Sequence, residues 1–173
     1  MPDDMRLIIV SGLSGSGKTV ALHVLEDLGY YCIDNMPAAL LKSAVAEVTS
    51  GSDQATRLLA FGVDARNPRK DLEALPKLIE ELRKQNIQTE LLVLQADDNV
   101  LLKRFSESRR RHPLAEHGTA LRAAIARERA MLSAVIDSAD LIIDTSRTSV
   151  YELADAIRER LDRPKMNLLS VLI

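Results

Sequence analysis

The sequence predicts an α/β domain built on a parallel sheet. Short, nearly continuous apolar runs alternate with longer stretches of helical periodicity, the pattern of strands covered by helices on both faces. A glycine-rich segment sits between the first apolar run and the first helical stretch, where open α/β folds place ligand-binding turns. The length of 173 residues suits one domain with a substantial core.

The apolar runs place strands at Arg6–Val10, Tyr30–Ile33, Leu58–Val63, Glu90–Leu94 and Leu141–Ile143. The first helix is expected from Lys18 to about Leu28, with Val20, Val24, Leu25 and Leu28 on one face and Gly29 as terminator. A second starts near Asn35, with Asn35 as candidate cap and Pro37 near the first helical position. It carries Leu40, Leu41, Ala44, Val45 and Val48. Leu75, Leu78, Ile79 and Leu82 mark a third helix, with Pro76 expected in its first turn. Two more follow the fourth strand, about Asp98–Arg110 and Thr119–Ile136, the latter with Leu121, Ala124, Ile125, Leu132 and Val135 at helical spacing. Ser149 and Glu152 form a capping box for a final helix through Leu153, Ile157 and Leu161.

The segment Gly12-Leu13-Ser14-Gly15-Ser16-Gly17-Lys18-Thr19 matches G-x-x-x-x-G-K-[ST] in its required strand–loop–helix context and reads as a P-loop. Glycines let successive backbone N–H groups converge on a phosphate, and the helix N-terminus adds positive potential. Lys18 is expected to reach the β- and γ-phosphates of a nucleoside triphosphate, and the Thr19 hydroxyl to ligate Mg²⁺. Asp34 and Asp64 follow the second and third strands, at the carboxyl end of the sheet where the ligand crevice lies. Asp64, closing the run Leu59-Ala60-Phe61-Gly62-Val63, is the stronger candidate for Mg²⁺, held through water. Asp34 is a candidate base or second-substrate ligand. Each also reads as an ordinary cap of the next helix. Arg66 follows as a candidate phosphate contact, and Asn67-Pro68 as a turn.

A basic segment carries Arg104, Arg109, Arg110, Arg111 and His112. Three readings stand: a helical lid whose arginines neutralise a transferring phosphoryl group, a solvated helix C-terminus, or a nucleic-acid phosphate contact. Phe105 alone among aromatics lies nearby, so base stacking gains no support. Asp144-Thr145-Ser146 closes the fifth strand, as a base contact or a cap. His23 and His117 read as surface or packing residues, and no spacing of His, Cys and acids suggests a structural metal.

Hydrophobic content of 46% and charged content of 28% exclude a disordered chain. No apolar run approaches the ~20 residues of a membrane helix, and no signal peptide is expected. The single cysteine, Cys32, reads as a buried thiol rather than a nucleophile. It argues for a cytoplasmic setting, and the net charge of −2 gives no global attraction to polyanions. The last residues, Leu168-Leu169-Ser170-Val171-Leu172-Ile173, are strand-like and follow the polar linker Asp162-Arg163-Pro164-Lys165. They fit a sixth strand, or better the first strand of a following domain, since a bare apolar terminal strand leaves an exposed edge. The P-loop domain is thus expected over 1–163, with linker and new strand at 164–173.

These segments together, from Gly12–Thr19 through Gly29-Tyr30-Tyr31-Cys32-Ile33-Asp34-Asn35-Met36-Pro37 and Asp64-Ala65-Arg66-Asn67 to Arg104-Phe105-Ser106-Glu107-Ser108-Arg109-Arg110-Arg111-His112-Pro113-Leu114, closely resemble the RapZ (YvcJ-like) family of bacterial nucleotide-binding proteins. The resemblance spans essentially the whole chain. It implies a nucleotide-kinase-like P-loop NTPase fold with a five-stranded parallel sheet, and slow hydrolysis of ATP and GTP with Mg²⁺. It implies an ATP site at Gly12–Thr19 and a GTP-binding stretch at Asp64–Asn67. Members are longer, and the enterobacterial ones are RNase adapters that bind a small regulatory RNA, mainly through a C-terminal domain, and control amino-sugar synthesis. A homo-oligomeric full-length protein is expected. The competing expectations are a small-molecule kinase transferring the ATP γ-phosphate, with Lys18, Asp64 and Asp34 as catalytic candidates, and direct RNA binding through Arg109–Arg111.

Overall fold

The computed structural model describes residues 5–50, 57–108, 110–115 and 120–161. The expected strand at 168–173, the linker before it, and Arg109 and His117 lie outside the described residues.

Strands β1 (Arg6–Gly12), β2 (Tyr31–Ile33), β3 (Leu58–Gly62), β4 (Gln88–Gln95) and β5 (Leu141–Asp144) form one five-stranded sheet in the order β2-β3-β1-β4-β5. Every pairing is parallel. β1 lies at the centre and is buried at every residue after Arg6. Its alternation sorts the interior in two. Leu7 and Ile9 join the core beneath α2 (Leu41–Ser50), α3 (Arg69–Lys84), α4 (Asp98–Ser108), α5 (Leu121–Met131) and α6 (Ser133–Asp137). Ile8 and Val10 face α1 (Lys18–Asp27) and α7 (Val150–Leu161), which pack on each other across the other face. Near-continuous apolar strands follow from this double cover.

The α/β expectation holds, and the departures have local causes. β1 runs two residues past its expected end, pairing to Gly12 opposite Leu94. The second helix does not begin at Asn35, nor does Asn35 cap it. Asn35 takes a left-handed φ of 54°, and a 3₁₀ turn over Ala38–Leu40 leads into α2. Met36 precedes Pro37, and a residue before proline is pushed out of the helical region. Pro76 lies mid-helix rather than in the first turn, because α3 starts back at Arg69 behind Pro68. Leu72, Leu75, Ile79 and Leu82 of α3 are buried, each contributing about 1.5–3 kcal/mol, which outweighs the ~3 kcal/mol that an interior proline costs.

The helix expected over 119–136 is broken at Leu132 into α5 and α6. The Ser133 hydroxyl donates back to the Ala130 carbonyl, which competes with helix continuation. Ser149 caps α7 as expected, its Oγ accepting the Glu152 N–H at 3.1 Å. Cys32 is only partly buried, not enclosed as expected. Burial, with Glu26 nearby, still pushes its thiol up to about 11, far from a nucleophile's range.

Candidate functional site

The loop between β1 and α1 opens on a backbone constraint. Gly12 has a φ of +139°, and a Cβ there would meet the Leu94 carbonyl oxygen of β4 at 2.0 Å. Only glycine allows the strand to turn so tightly against its neighbour. Leu13 N–H then donates to Leu94 O and Ser16 N–H to Leu13 O. The Ser16 hydroxyl, fully buried, also donates to Leu13 O at 2.5 Å. The loop's own polar groups thus fix its curvature, and Leu153 of α7 packs beneath Gly17.

Other elements brace the loop from outside. Thr145, after β5, donates its hydroxyl to Ser16 O at 2.6 Å. Arg104 of α4 donates to Gly15 O at 2.9 Å and to the hydroxyl and carbonyl oxygens of Thr145. The rest of the fifth-strand turn is also committed to protein contacts: Asp144 accepts Ser146 N–H, and Ser146 Oγ accepts Asp97 N–H. Hydrogen bonds from Ser146 hold the Asp144 carboxyl below its ordinary range.

A cavity of about 620 Å³ opens above the loop, lined by Ser14, Gly15, Lys18, Thr19, Asp34, Asp64, Arg66, Arg104, Phe105, Ser108, Arg110, Arg111 and Pro113. It gathers the loop, both candidate acids and the basic segment. Arg110 and Arg111 lie beyond the end of α4 and on this wall. Ala65 is buried and Asn67 turns away, its Oδ1 accepting Ala38 N–H. Gly12, Leu13, Ser16 and Gly17 form the loop beneath.

Asp64 is 7% exposed. Its carboxylate accepts both Nε and Nη2 of Arg66, the latter at 2.5 Å, and the Arg66 backbone N–H. Arg66 also donates to Asn35 Oδ1, which binds the β2 and β3 ends together. Asp34 is exposed, and Oδ1 accepts its neighbour's N–H from Asn35 at 2.7 Å. Lys18 is held below its usual pKa by burial, even though Asp64, Glu128 and Asp34 all pull it up. The three carboxylates therefore only partly offset what its ammonium loses in hydration. The oxygen ligands of Thr19, Asp64 and Asp34, which line the same cavity, suit Mg²⁺, which prefers hard oxygen ligands and is commonly shared with phosphates. Among the described residues no group of His, Cys, Asp and Glu could hold a metal alone.

One carboxylate of the site escaped the sequence reading. Glu128 of α5 is fully buried. Its Oε1 accepts Ser14 N–H at 2.8 Å, and its Oε2 accepts the Ser14 hydroxyl at 2.6 Å. Burial pushes its carboxyl up, but hydrogen bonds from His112 and Ser14 outweigh this and lower it. Glu128 stands at helical spacing with Leu121, Ala124, Ile125 and Leu132. A charge on that apolar stripe was the available signal.

A parallel sheet, a glycine loop at the carboxyl end of its central strand and a cationic cavity above define a P-loop kinase-like nucleotide-binding domain. A model of the RapZ-like N-terminal domain matches residues 5–165, and the chain belongs to that family. A nucleotide-binding protein of Halorhodospira halophila is 51% identical over 170 residues, covering 98% of this chain and 58% of that protein. A nucleotide-binding protein encoded in the ptsN-ptsO intergenic region of Stutzerimonas stutzeri is 50% identical over 157 residues, covering 91% and 55%. The chain thus spans a little over half the length of these relatives. A shikimate kinase from Bacteroides thetaiotaomicron superimposes with a TM-score of 0.56 at 15% identity, over 92% of this chain and 99% of that one. The YorR protein of Bacillus subtilis, solved with phosphorylated GDP, gives 0.57 at 17% identity, over 90% and 95%. Likeness at this identity speaks to fold alone.

Proposed function

We propose that this chain binds ATP or GTP with Mg²⁺ and hydrolyses it slowly, as the nucleotide-responsive module of a longer cytoplasmic regulator. The observation that carries the reading is the loop itself: Gly12 to Thr19 turns off the end of the central strand beneath a cavity lined by Lys18, Thr19, Asp34, Asp64 and Arg66, where a triphosphate and its metal would sit. Loop N–H groups, Lys18 and Arg66 would hold phosphates, and Thr19 with Asp64 would hold Mg²⁺, Asp64 through water. Bound Mg²⁺ would neutralise phosphate charge. Slow hydrolysis fits the described lining residues, among which there is no His or Glu and whose Asp64 is engaged by Arg66. Among those described residues, Asp34 is the carboxylate left to orient a water. The RNase-adapter role, a regulatory RNA partner bound mainly through the remainder of the longer relatives, control of amino-sugar synthesis and homo-oligomerisation rest on the family resemblance.

A second reading, transfer of the γ-phosphate to a small acceptor, is favoured by one observation. Asp34 is an exposed carboxylate lining the same cavity as Lys18, available as a base for a hydroxyl. Labelled ATP separates the two: slow release of phosphate with no labelled product supports the first, and rapid transfer to a sugar, amino-sugar or nucleotide supports the second. Unchanged triphosphate binding in Lys18→Ala overturns both.

A further inference from the structure

The buried pair His112–Glu128 joins the phosphate loop to the basic wall of the cavity. His112 is 2% exposed. Its Nδ1 accepts the Leu114 N–H at 3.0 Å, so the ring proton resides on Nε2, which faces Glu128 Oε1 at 3.2 Å. Glu128 in turn holds the amide and hydroxyl of Ser14. The hydrogen-bond chain therefore runs unbroken from Leu114 through His112 and Glu128 to the loop. The ring of His112 also lies against Phe105, with centroids 5.2 Å apart, and Phe105 in turn packs under Gly15.

Arg110 and Arg111 immediately precede His112 and line the cavity. Arg111 Nε donates to Ala115 O, which closes the strap on itself around the histidine. A buried, fully hydrogen-bonded network has few alternative arrangements. A displacement of Ser14 would therefore be felt at His112, the neighbour of Arg111 in sequence. Fixed hydrogen bonds of this kind suit residues that hold a site rather than react in it.

Resting on the nucleotide reading above, we infer that His112 and Glu128 are positioning residues that tie the Arg110–Arg111 strap to Ser14 of the phosphate loop, so that the strap discriminates a nucleoside triphosphate from a diphosphate. The loop's backbone N–H groups hold phosphates common to both nucleotides, and Lys18 reaches toward the terminal one. The strap adds cations that only the terminal phosphate engages, and the buried pair sets where those cations stand.

The test measures, by calorimetry on the full chain, the affinities of a non-hydrolysable triphosphate and of the matching diphosphate. His112→Phe keeps the ring against Phe105 and removes the bond to Glu128. It is expected to reduce the triphosphate-over-diphosphate preference about tenfold while leaving diphosphate affinity unchanged. Arg111→Ala should give the same selective loss, and combining the two should add little, the mark of residues acting as a unit. If His112→Phe does not fold, Glu128→Gln, which keeps the side-chain shape and removes its charge, is expected to shift the preference in the same direction by less. Equal loss for both nucleotides, or an unchanged preference in a folded variant, overturns the inference while the nucleotide reading stands. An unsubstituted chain that binds neither nucleotide overturns that reading itself.

Discussion

Gly62 and Asp34 share a space that admits no methyl group: a Cβ on Gly62 would lie 2.6 Å from Asp34 Oδ1. The carboxylate after β2 owes its place on the cavity wall to a missing side chain on β3. Gly62→Ala is expected to displace Asp34, with Leu22 Cδ1 also crowded at 3.2 Å. Overpacking of this kind costs about 1–3 kcal/mol, read as a lower urea midpoint. Asp34→Asn, at an exposed position, should shift stability by no more than about 0.5 kcal/mol yet lower turnover. Comparing turnover in the two variants checks whether the position of Asp34 or only local packing matters.

Gly12 tests a harder collision. Its Cβ would meet Leu94 backbone oxygen, nitrogen and carbon, all within 3 Å, and no side chain can move aside. Gly12→Ala should cost more than about 4 kcal/mol and prevent recovery of folded chain. Gly29 has a positive φ of 95° but nothing within 4 Å, so Gly29→Ala should cost about 1–2 kcal/mol from backbone conformation alone. Thermal melts of the two variants separate collision from conformation. Similar losses in both would refute the distinction.

Lys18→Met is expected to raise the melting temperature of the nucleotide-free chain while abolishing the stabilisation that added triphosphate gives. Burial disfavours the Lys18 ammonium when no ligand is bound, and a neutral side chain of similar length removes that penalty. Parallel melts with and without triphosphate provide the measurement. A fall in stability without ligand would count against this burial penalty.

Glu128 ties stability to pH. Its folded carboxyl is held below the ordinary glutamate range, so the unfolded chain binds the proton more readily. The stabilisation is therefore fully present above about 4.5 and is lost as pH falls from there through the folded value. His112 and Ser14 face the carboxylate directly, and Lys18 interacts with it electrostatically. Glu128→Gln should flatten the acid limb of stability against pH relative to the unsubstituted chain. An unchanged acid limb would assign that dependence to other carboxylates.

The β1–loop–α1 unit was legible because its signals are local: an apolar run, fixed glycine spacing and helical periodicity adjoin one another. Asp34, Asp64 and the basic segment were legible as neighbours of the loop, because parallel topology brings strand ends to one edge. What each does there was not, since the Arg66 grip on Asp64 and the Arg104 brace on Gly15 depend on side-chain placement in three dimensions. The late start of α2 was encoded in Met36-Pro37 but overridden by the attraction of Asn35 as a cap. The break at Leu132 left no glycine or proline to announce it. Glu128 was visible only as a charge on an apolar stripe, and its partner Ser14 lies 114 residues away in sequence.

The burial of β1 on both faces and both edges has a consequence for amide hydrogen exchange. Its backbone donors are paired between β3 and β4 at the centre of the sheet, so they should exchange only when the whole domain opens. The phosphate loop springs from that slowest-exchanging segment, not from a loosely held rim. Partial openings at β2 or β5, the sheet edges, would free Asp34 or the Thr145 brace but leave the root of the loop in place, so the loop should outlast the walls built around it.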